Sequence, residues 1–372
     1  LENENRQTAL AIENGSDFFQ ATTYTGVNGA NSVEQSGASS MRTGTATFQP
    51  DMAWIKRTDG TGPPGIFDAV RTSGEYLLSS EENAEASESS FSGFDANGFN
   101  FSAADTALES NTAGRSYVGW QWLGANSTAT PSGSSGISSL LVSANTTSGF
   151  SIGKFTAQSS GTGVVAHGLG GVGDLIFLKP LATSSEGNSW TVWHSGVNST
   201  SGNTTRMNLN TTTINSTGAA RVNAVASDTF TINDDAYFHG RNFVFYAWRA
   251  IPGYSKFGTF EGNGTTGTTG NGPFIELGFR PALVALKNAD VATNGHWVVM
   301  DSSRNTFNVA NGTMWWSLAN GQDTGEAQMD FVSNGVKIKG GTSARYNADN
   351  ETFIYMAWAE NPFAGTTPVT AR

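Results

Sequence analysis

The strongest constraint on the fold is a strand-like run that occurs three times and ends on tryptophan each time, at Trp122, Trp248 and Trp358. Each run is dense in aromatic and β-branched residues, which is typical of β-strands. A second marker, an apolar run that closes on lysine, recurs at nearly the same interval, at Lys56, Lys179 and Lys287. Two independent markers with one period of roughly 110 to 126 residues predict three tandem copies of a single module.

The segments between these markers indicate short strands joined by turns. Gly accounts for 45 of the 372 residues, and charged residues make up only 14%. Asn-Gly pairs such as Asn97-Gly98 and Asn334-Gly335 lie between apolar residues, as in type I′ hairpins. No helical periodicity separates the strand-like runs. We therefore expect an all-β protein of three tandem antiparallel β-sandwich modules, jelly-roll-like, with a barrel as the alternative.

The expected modules span residues 1–126, 137–250 and 251–372, with a linker at 127–136. The linker is rich in Ser, Thr and Gly, which predicts flexibility, whereas the join at 251–253 is so short that modules 2 and 3 should pack rigidly. Residues 243–247 are apolar at every position, so the closing strands should be covered on both faces. That cover must come from another module or from another chain of an oligomer.

The net charge and the absence of cysteine exclude several classes of function and of binding site. A formal net charge of -11 and a pI near 4.8 argue against nucleic-acid binding, because holding phosphates requires clustered Lys and Arg. With no cysteine in the chain, disulfides and thiolate metal sites are excluded. No stretch reaches the roughly 18 apolar residues of a membrane-spanning helix, and no basic-then-apolar signal opens the chain. We therefore expect no membrane insertion.

The sequence lacks the motifs of the common catalytic and metal sites. The four histidines stand in separate contexts without ligand spacing, at His167, His194, His239 and His296. There is no Gly-x-Ser-x-Gly nucleophile elbow, and no glycine-rich loop is followed by Lys-Ser/Thr. A pair of glycosidase carboxylates can be neither recognised nor excluded from sequence. We predict a protein that is not an enzyme, with no catalytic residue, metal or cofactor.

An Asp-x-x-Arg spacing in modules 1 and 3 provides the first candidate site residues, Asp68 with Arg71 and Asp301 with Arg304. The spacing places a carboxylate and a guanidinium within reach of each other across a turn. We interpret each as a structural ion pair, and contact with a ligand is the alternative. Module 2 has His194 at the aspartate position, which suits a polar strand end better than a general base.

The second candidate is the pair Trp315 and Trp316, which follows Asn311-Gly312-Thr313 in a predicted loop without a counterpart in the other modules. Trp122, Trp248 and Trp358 recur at one strand position, as core residues do. The isolated pair is therefore the better candidate for an aromatic surface that contacts a sugar.

Several of the repeated motifs together resemble a family of tandem-repeat modules in tailed-phage tail-fibre and virion structural proteins, common in marine and cyanobacterial phages. The motifs that carry the resemblance are Tyr24-Thr25-Gly26, Phe67-Asp68 with Arg71, Asn97-Gly98-Phe99 and Phe279-Arg-Pro281. The resemblance covers nearly the whole chain. It is strongest in modules 1 and 3, because module 2 lacks the Phe-x-Pro and Asp-x-x-Arg features.

The resemblance implies a virion surface protein, made in the host cytoplasm without a signal peptide and involved in host attachment as a tail fibre or other appendage. Its implied partners are other virion proteins and further copies of itself, with a trimer favoured. The resemblance names no ligand, and a host cell-surface glycan is our own expectation for one. The chain opens on Leu1, so we expect a processed product or the C-terminal part of something longer. A capsid decoration protein and a carbohydrate-binding lectin or adhesin are the alternatives, followed by a depolymerase.

Overall fold

The computed structural model describes residues 12–35, 47–105, 107–198, 205–215, 220–265, 271–326, 328–339 and 345–362. Every strand pair in these ranges is antiparallel, and the one helical element is a 3-10 turn at Gly15–Asp17. The predicted all-β fold class is therefore confirmed. Within the described ranges, no sheet mixes strands from two of the predicted modules.

The strands of the first module form a six-stranded and a three-stranded sheet. In chain order they are β1 (Phe19–Thr25), β2 (Asn31–Glu34), β3 (Met52–Arg57), β4 (Gly65–Asp68), β5 (Glu75–Leu78), β6 (Ala86–Ser87), β7 (Phe91–Asp95), β8 (Gly98–Phe101) and β9 (Ser116–Trp122). The large sheet has the order β1-β9-β3-β4-β5-β6, and the small sheet has the order β2-β8-β7.

The second module adds one strand, β10, to the edge of the same arrangement. Its strands are β10 (Ile137–Asn145), β11 (Phe150–Ala157), β12 (Gly163–Ala166), β13 (Leu175–Pro180), β14 (Thr191–His194), β15 (Arg206–Met207), β16 (Ile214–Asn215), β17 (Val222–Val225), β18 (Thr229–Ile232) and β19 (Asn242–Trp248). The large sheet runs β10-β11-β19-β13-β14-β15-β16, and the small sheet runs β12-β18-β17.

The third module repeats the order once more. Its strands are β20 (Ser255–Glu261), β21 (Phe274–Glu276), β22 (Phe279–Asn288), β23 (Val298–Asp301), β24 (Met314–Trp315), β25 (Met329–Val332), β26 (Gly335–Ile338) and β27 (Thr352–Pro362). The large sheet runs β20-β27-β22-β23-β24, and the small sheet runs β21-β26-β25. In every module the opening strand thus pairs with the closing strand, which pairs with the lysine-ending strand.

The closing strands are covered on both faces, as their uninterrupted apolar sequence predicts. In β19, Phe243 and Phe245 pack on the outer side with Phe230 of the small sheet, whereas Tyr246 and Trp248 belong to a core shared with the other modules. Alternation of side chains along a strand separates the two sets. The cover expected from a neighbour is thus present within a single chain.

The three closing tryptophans meet at the centre of the molecule. The ring centroids of Trp122, Trp248 and Trp358 lie 5.4, 5.9 and 6.0 Å apart in pairs, which is a nearly equilateral triangle. Aromatic pairs at such spacing contribute beyond their buried area. The three large sheets therefore surround one common core with approximate threefold symmetry.

The segment predicted as a linker, 127–136, is held to module 2 by backbone hydrogen bonds. The amide of Ala129 donates to Val142 O and the amide of Val142 donates back to Ala129 O, both at 2.8 Å. Ser135 and Val164 exchange a similar pair at 3.0 and 2.7 Å. Composition suggested flexibility, but these bonds attach the segment to β10 and β12.

Each lysine that ends a central strand is buried. The ammonium groups of Lys56, Lys179 and Lys287 donate to backbone carbonyls of the following loop, at 2.9, 2.8 and 2.7 Å respectively. Burial lowers the pKa of each to about 7 from an ordinary 10.5, with a further contribution from Arg304 at Lys56 and from Arg241 at Lys179. Among the described residues only backbone carbonyls accept hydrogen bonds from the three ammonium groups, so burial disfavours their charged form.

The buried lysines predict that the folded state becomes more stable as the pH rises from 7 to 9.5. In this window the unfolded chain binds more protons than the folded chain, so the free energy of unfolding increases by at most about 1.4 kcal/mol per pH unit for each lysine. Urea unfolding at several pH values would measure the slope. The Lys287→Met variant should have a smaller slope, and an unchanged slope in that variant would contradict the assignment.

Candidate functional site

The two predicted Asp-Arg pairs form ion pairs inside the core. Arg71 Nε lies 2.7 Å from Asp68 Oδ2, and Arg304 Nε lies 2.7 Å from Asp301 Oδ2. The side chains are at most 4% exposed, and burial of unpaired charges would be costly. These geometries support the structural interpretation over contact with a ligand.

Each ion pair also ties its module to the next one. Tyr246 Oη of module 2 donates to Asp68 Oδ2 at 2.6 Å, and Trp120 Nε1 of module 1 donates to Asp301 Oδ2 at 3.0 Å. Tyr246 and Trp120 occupy equivalent positions in the closing strands, opposite Phe177 and Trp54 in the register of their sheets. The aspartates therefore serve as acceptors between modules.

The junction between modules 2 and 3 explains why module 2 has histidine in place of aspartate. The closing-strand position equivalent to Tyr246 is Met356, which has no hydrogen to donate. His194 Nδ1 accepts from Gly196 N at 2.9 Å, which leaves Nε2 to donate to Tyr355 O at 3.1 Å. Burial lowers the pKa of His194 to about 4, so the ring is neutral at pH 7.

Trp316 lies in the core, where a ligand cannot reach its side chain. It is 1% exposed and stacks on Trp54, with centroids 4.2 Å apart and an interplanar angle of 17°. Trp54 and Phe177 occupy equivalent positions in the lysine-ending strands of modules 1 and 2. The equivalent residue in module 3 is the small Ala285. The hypothesis of ligand contact is therefore corrected for Trp316, which packs against core rings of modules 1 and 2.

Trp315 has a different environment, although it neighbours Trp316. Met314 and Trp316 belong to the central core and Trp315 does not, as expected where alternate residues face opposite sides. The predicted loop begins in fact with strand β24, which pairs Trp315 with Val298. Trp315 lines a surface cleft.

This Trp315 cleft lies between modules 1 and 3 and is built by residues 58–61, Trp315 and residues 320–324. Its volume is about 500 Å³, large enough for one or two sugar rings. Apart from Trp315 and the two glycines Gly60 and Gly321, its lining consists of hydroxyl, amide and carboxylate side chains. Most of them are solvent-exposed, while Trp315 is only 3% exposed.

Backbone hydrogen bonds between the two modules hold the walls of the cleft in place. Gly62 N donates to Ala319 O and Gln322 N donates to Thr58 O, both at 2.8 Å. Asp323 N donates to Thr313 O at 3.0 Å, which fixes the module 3 wall to its own sheet. The cleft is therefore set by rigid contacts, which suits a binding site.

Arg304 connects the cleft to the buried ion pair. Its Nη1 donates to Gln322 Oε1 at 3.0 Å and to Gly312 O at 2.7 Å, while its Nε pairs with Asp301. Two of the predicted residues, Arg304 and Trp315, thus meet at one surface feature. Asp68 and Arg71 lie at a different junction, between modules 1 and 2.

On the opposite wall, Asp59 carries a stable negative charge. Burial acts to raise the pKa of Asp59, but hydrogen bonds from Arg57 and Ser116 N outweigh it and lower the pKa. Arg57 Nε lies 2.7 Å from Asp59 Oδ1. Asp59, Asn320 and Gln322 gave no signal in the sequence beyond the turn-like Asn320-Gly321, because the cleft forms only when distant loops meet.

Two buried donors beside the cleft lack hydrogen-bond acceptors among the described residues. They are the indole Nε1 of Trp315 and Nη2 of Arg304. Buried N–H groups are normally paired, but the core indoles of Trp122, Trp248 and Trp316 are unpaired among the described residues as well, so these donors alone do not mark a ligand site.

Comparison with known proteins gives one match. No curated protein and no solved structure matches the chain. In the ranges the structure covers, no helix is long and apolar enough to cross a membrane, and no group of three or more His, Cys, Asp or Glu side chains could hold a metal ion. A protein family described as a domain of unknown function, DUF7483, matches residues 14–362, through all three predicted modules. The chain belongs to the DUF7483 family.

Proposed function

We propose that this protein is a virion surface protein of a tailed phage, a tail fibre or similar appendage, which binds a host-surface glycan in the Trp315 cleft. The observation that carries the binding role is the polar cleft of about 500 Å³ with a buried indole in its lining. The resemblance of the repeated motifs to tailed-phage virion modules supports the setting.

The scaffold suits a protein exposed on a particle. Three large sheets share one aromatic core, and the junctions between modules are held by buried hydrogen bonds. Such a scaffold presents loops without itself changing shape. A trimer in the assembled particle stays a prediction of the resemblance.

The first test compares glycan binding of the wild-type protein with that of the Asn320→Ala variant. Asn320 is exposed in the cleft, so its loss should weaken binding of a glycan by about tenfold, the value of one hydrogen bond. Glycan-array screening would identify the ligand, and isothermal titration calorimetry would measure the affinities. Asn83→Ala, the same change at an exposed asparagine outside the cleft, is the matched control.

Equal affinity of the Asn320→Ala and Asn83→Ala variants would contradict the assignment of the cleft. If both variants bind the glycan at neutral pH and lose it when the pH is lowered, the glycan binds at a site other than the Trp315 cleft. Immunogold labelling of intact particles would locate the protein, and labelling confined to the head would favour capsid decoration over a tail appendage.

A further inference from the structure

A second cleft lies between modules 1 and 2, at the place equivalent to the Trp315 cleft. Glu85 N donates to Leu181 O at 3.0 Å, as Gln322 N does to Thr58 O at 2.8 Å. Arg71 lies beside Glu85 as Arg304 lies beside Gln322. The approximate threefold symmetry thus produces two related clefts.

The side chains of this second cleft, here termed the Glu85 cleft, differ in charge from those of the first. Glu75 and Glu85 come from module 1, and Lys154 comes from β11 of module 2. Phe155 and Phe243 also line the cavity, whose volume is about 410 Å³. Among the described residues, Lys154 forms no ion pair with either glutamate, so charges of both signs are available to a ligand.

Two buried groups beside the Glu85 cleft are left without hydrogen-bond partners in the described part of the protein. They are Arg71 Nη1, on a side chain only 1% exposed, and Glu85 Oε2. The two atoms are 3.6 Å apart, which is too long for a hydrogen bond. Burial raises the pKa of Glu85, and Arg71 acts in the opposite direction. Arg71 is therefore the ionic partner of the Glu85 carboxylate, at a distance longer than an ordinary hydrogen bond.

The backbone at the rim is also unusual. Ser139, which lines the cavity, has a φ of 53° and lies where the pairing of β10 with β11 shifts register. Bulges and left-handed non-glycine residues are enriched next to binding sites. The irregularity occurs at the edge of the cleft, in the strand that module 2 has in addition to the common order.

We propose that the Glu85 cleft binds a zwitterionic ligand, with a primary amine directed to Glu75 and Glu85 and an anionic group directed to Lys154. An ammonium group donates three hydrogen bonds and accepts none, so it can donate to Glu85 Oε2 at a shorter distance than Arg71 does. A phosphoethanolamine substituent on a surface sugar has this chemistry. The proposal does not require that the Trp315 cleft bind a glycan.

The test measures binding of O-phosphoethanolamine, ethanolamine and inorganic phosphate by calorimetry at pH 7 and low ionic strength. We expect phosphoethanolamine to bind at least tenfold more tightly than either half alone, since both charges are then paired (~1.4 kcal/mol). Glu75→Gln should reduce this preference for the amine, and Lys154→Met should reduce the contribution of the phosphate. Glu276→Gln, at an exposed glutamate in β21, is the control for charge.

Glu75→Gln is preferred to Glu85→Gln because Glu85 also contacts Arg71; the thermal transition of each variant establishes that it folds. Equal affinities for phosphoethanolamine and phosphate would overturn the proposal in favour of an anion site. Unchanged affinity in both Glu75→Gln and Lys154→Met would overturn the location. Loss of binding in Asn320→Ala would assign the ligand to the Trp315 cleft instead.

Discussion

Trp316→Ala is expected to lower the free energy of unfolding by about 3 to 5 kcal/mol, the usual cost of replacing a buried tryptophan with alanine. The side chain is 1% exposed and stacks on Trp54. It also lies within 6.1 to 6.5 Å of the rings of Trp120, Trp297 and Phe177. These contacts come from all three modules, so the cavity would open at the centre of the molecule.

Urea unfolding followed by tryptophan fluorescence and circular dichroism would measure this loss. Phe307→Ala is the control, because Phe307 is 69% exposed and its removal should change stability by less than about 0.5 kcal/mol. Trp316→Phe should fall between the two, because a smaller ring still fills part of the space beside Trp54. Near-equal stability of Trp316→Ala and Phe307→Ala would show that Trp316 is not a core residue.

Asp301→Ala is the second large change, with an expected loss of about 3 to 5 kcal/mol, typical of breaking a buried ion pair from one side. The substitution leaves Arg304 buried without its counter-charge, and it removes the acceptor of Trp120 Nε1. Asp301→Asn keeps an acceptor of similar shape, so it should cost less. Chemical unfolding of both variants would measure the difference.

A double variant separates the ion pair from simple packing. Asp301→Leu combined with Arg304→Met removes both charges, so it should be less destabilising than Asp301→Ala alone. If the double variant were the less stable of the two, an uncompensated arginine would not be the reason for the effect. The arginine also contacts Gln322, so each variant should be assayed for glycan binding as well.

Several features were predictable from sequence because they depend on neighbours along the chain. Alternation and β-branched content predict the strands, and the period of the tryptophan and lysine markers predicts three copies. The three-residue spacing of Asp68 and Arg71 predicts their pairing, because it places the two side chains across one turn. Residues 243–247 are apolar on both sides of the strand, which predicts that both of its faces are covered.

Other features depend on which modules meet, and no local pattern contains that information. Trp315 and Trp316 are adjacent and identical in type, but only the meeting of three sheets decides that Trp316 fills the core and Trp315 lines a cleft. The linker 127–136 has the composition of a flexible segment, but it finds partners in β10 and β12. His194 is explained only by Met356 in another module.

The sequence by itself thus determined the all-β class, the recurring strand markers and the short-range ion pairs, since each follows from side-chain periodicity or close spacing. The tertiary structure decided the shared core, the donors that face each aspartate and the two clefts. The physical reason is that contacts between modules join residues more than a hundred positions apart, such as Trp120 with Asp301. Their geometry depends on packing three sheets together around one centre.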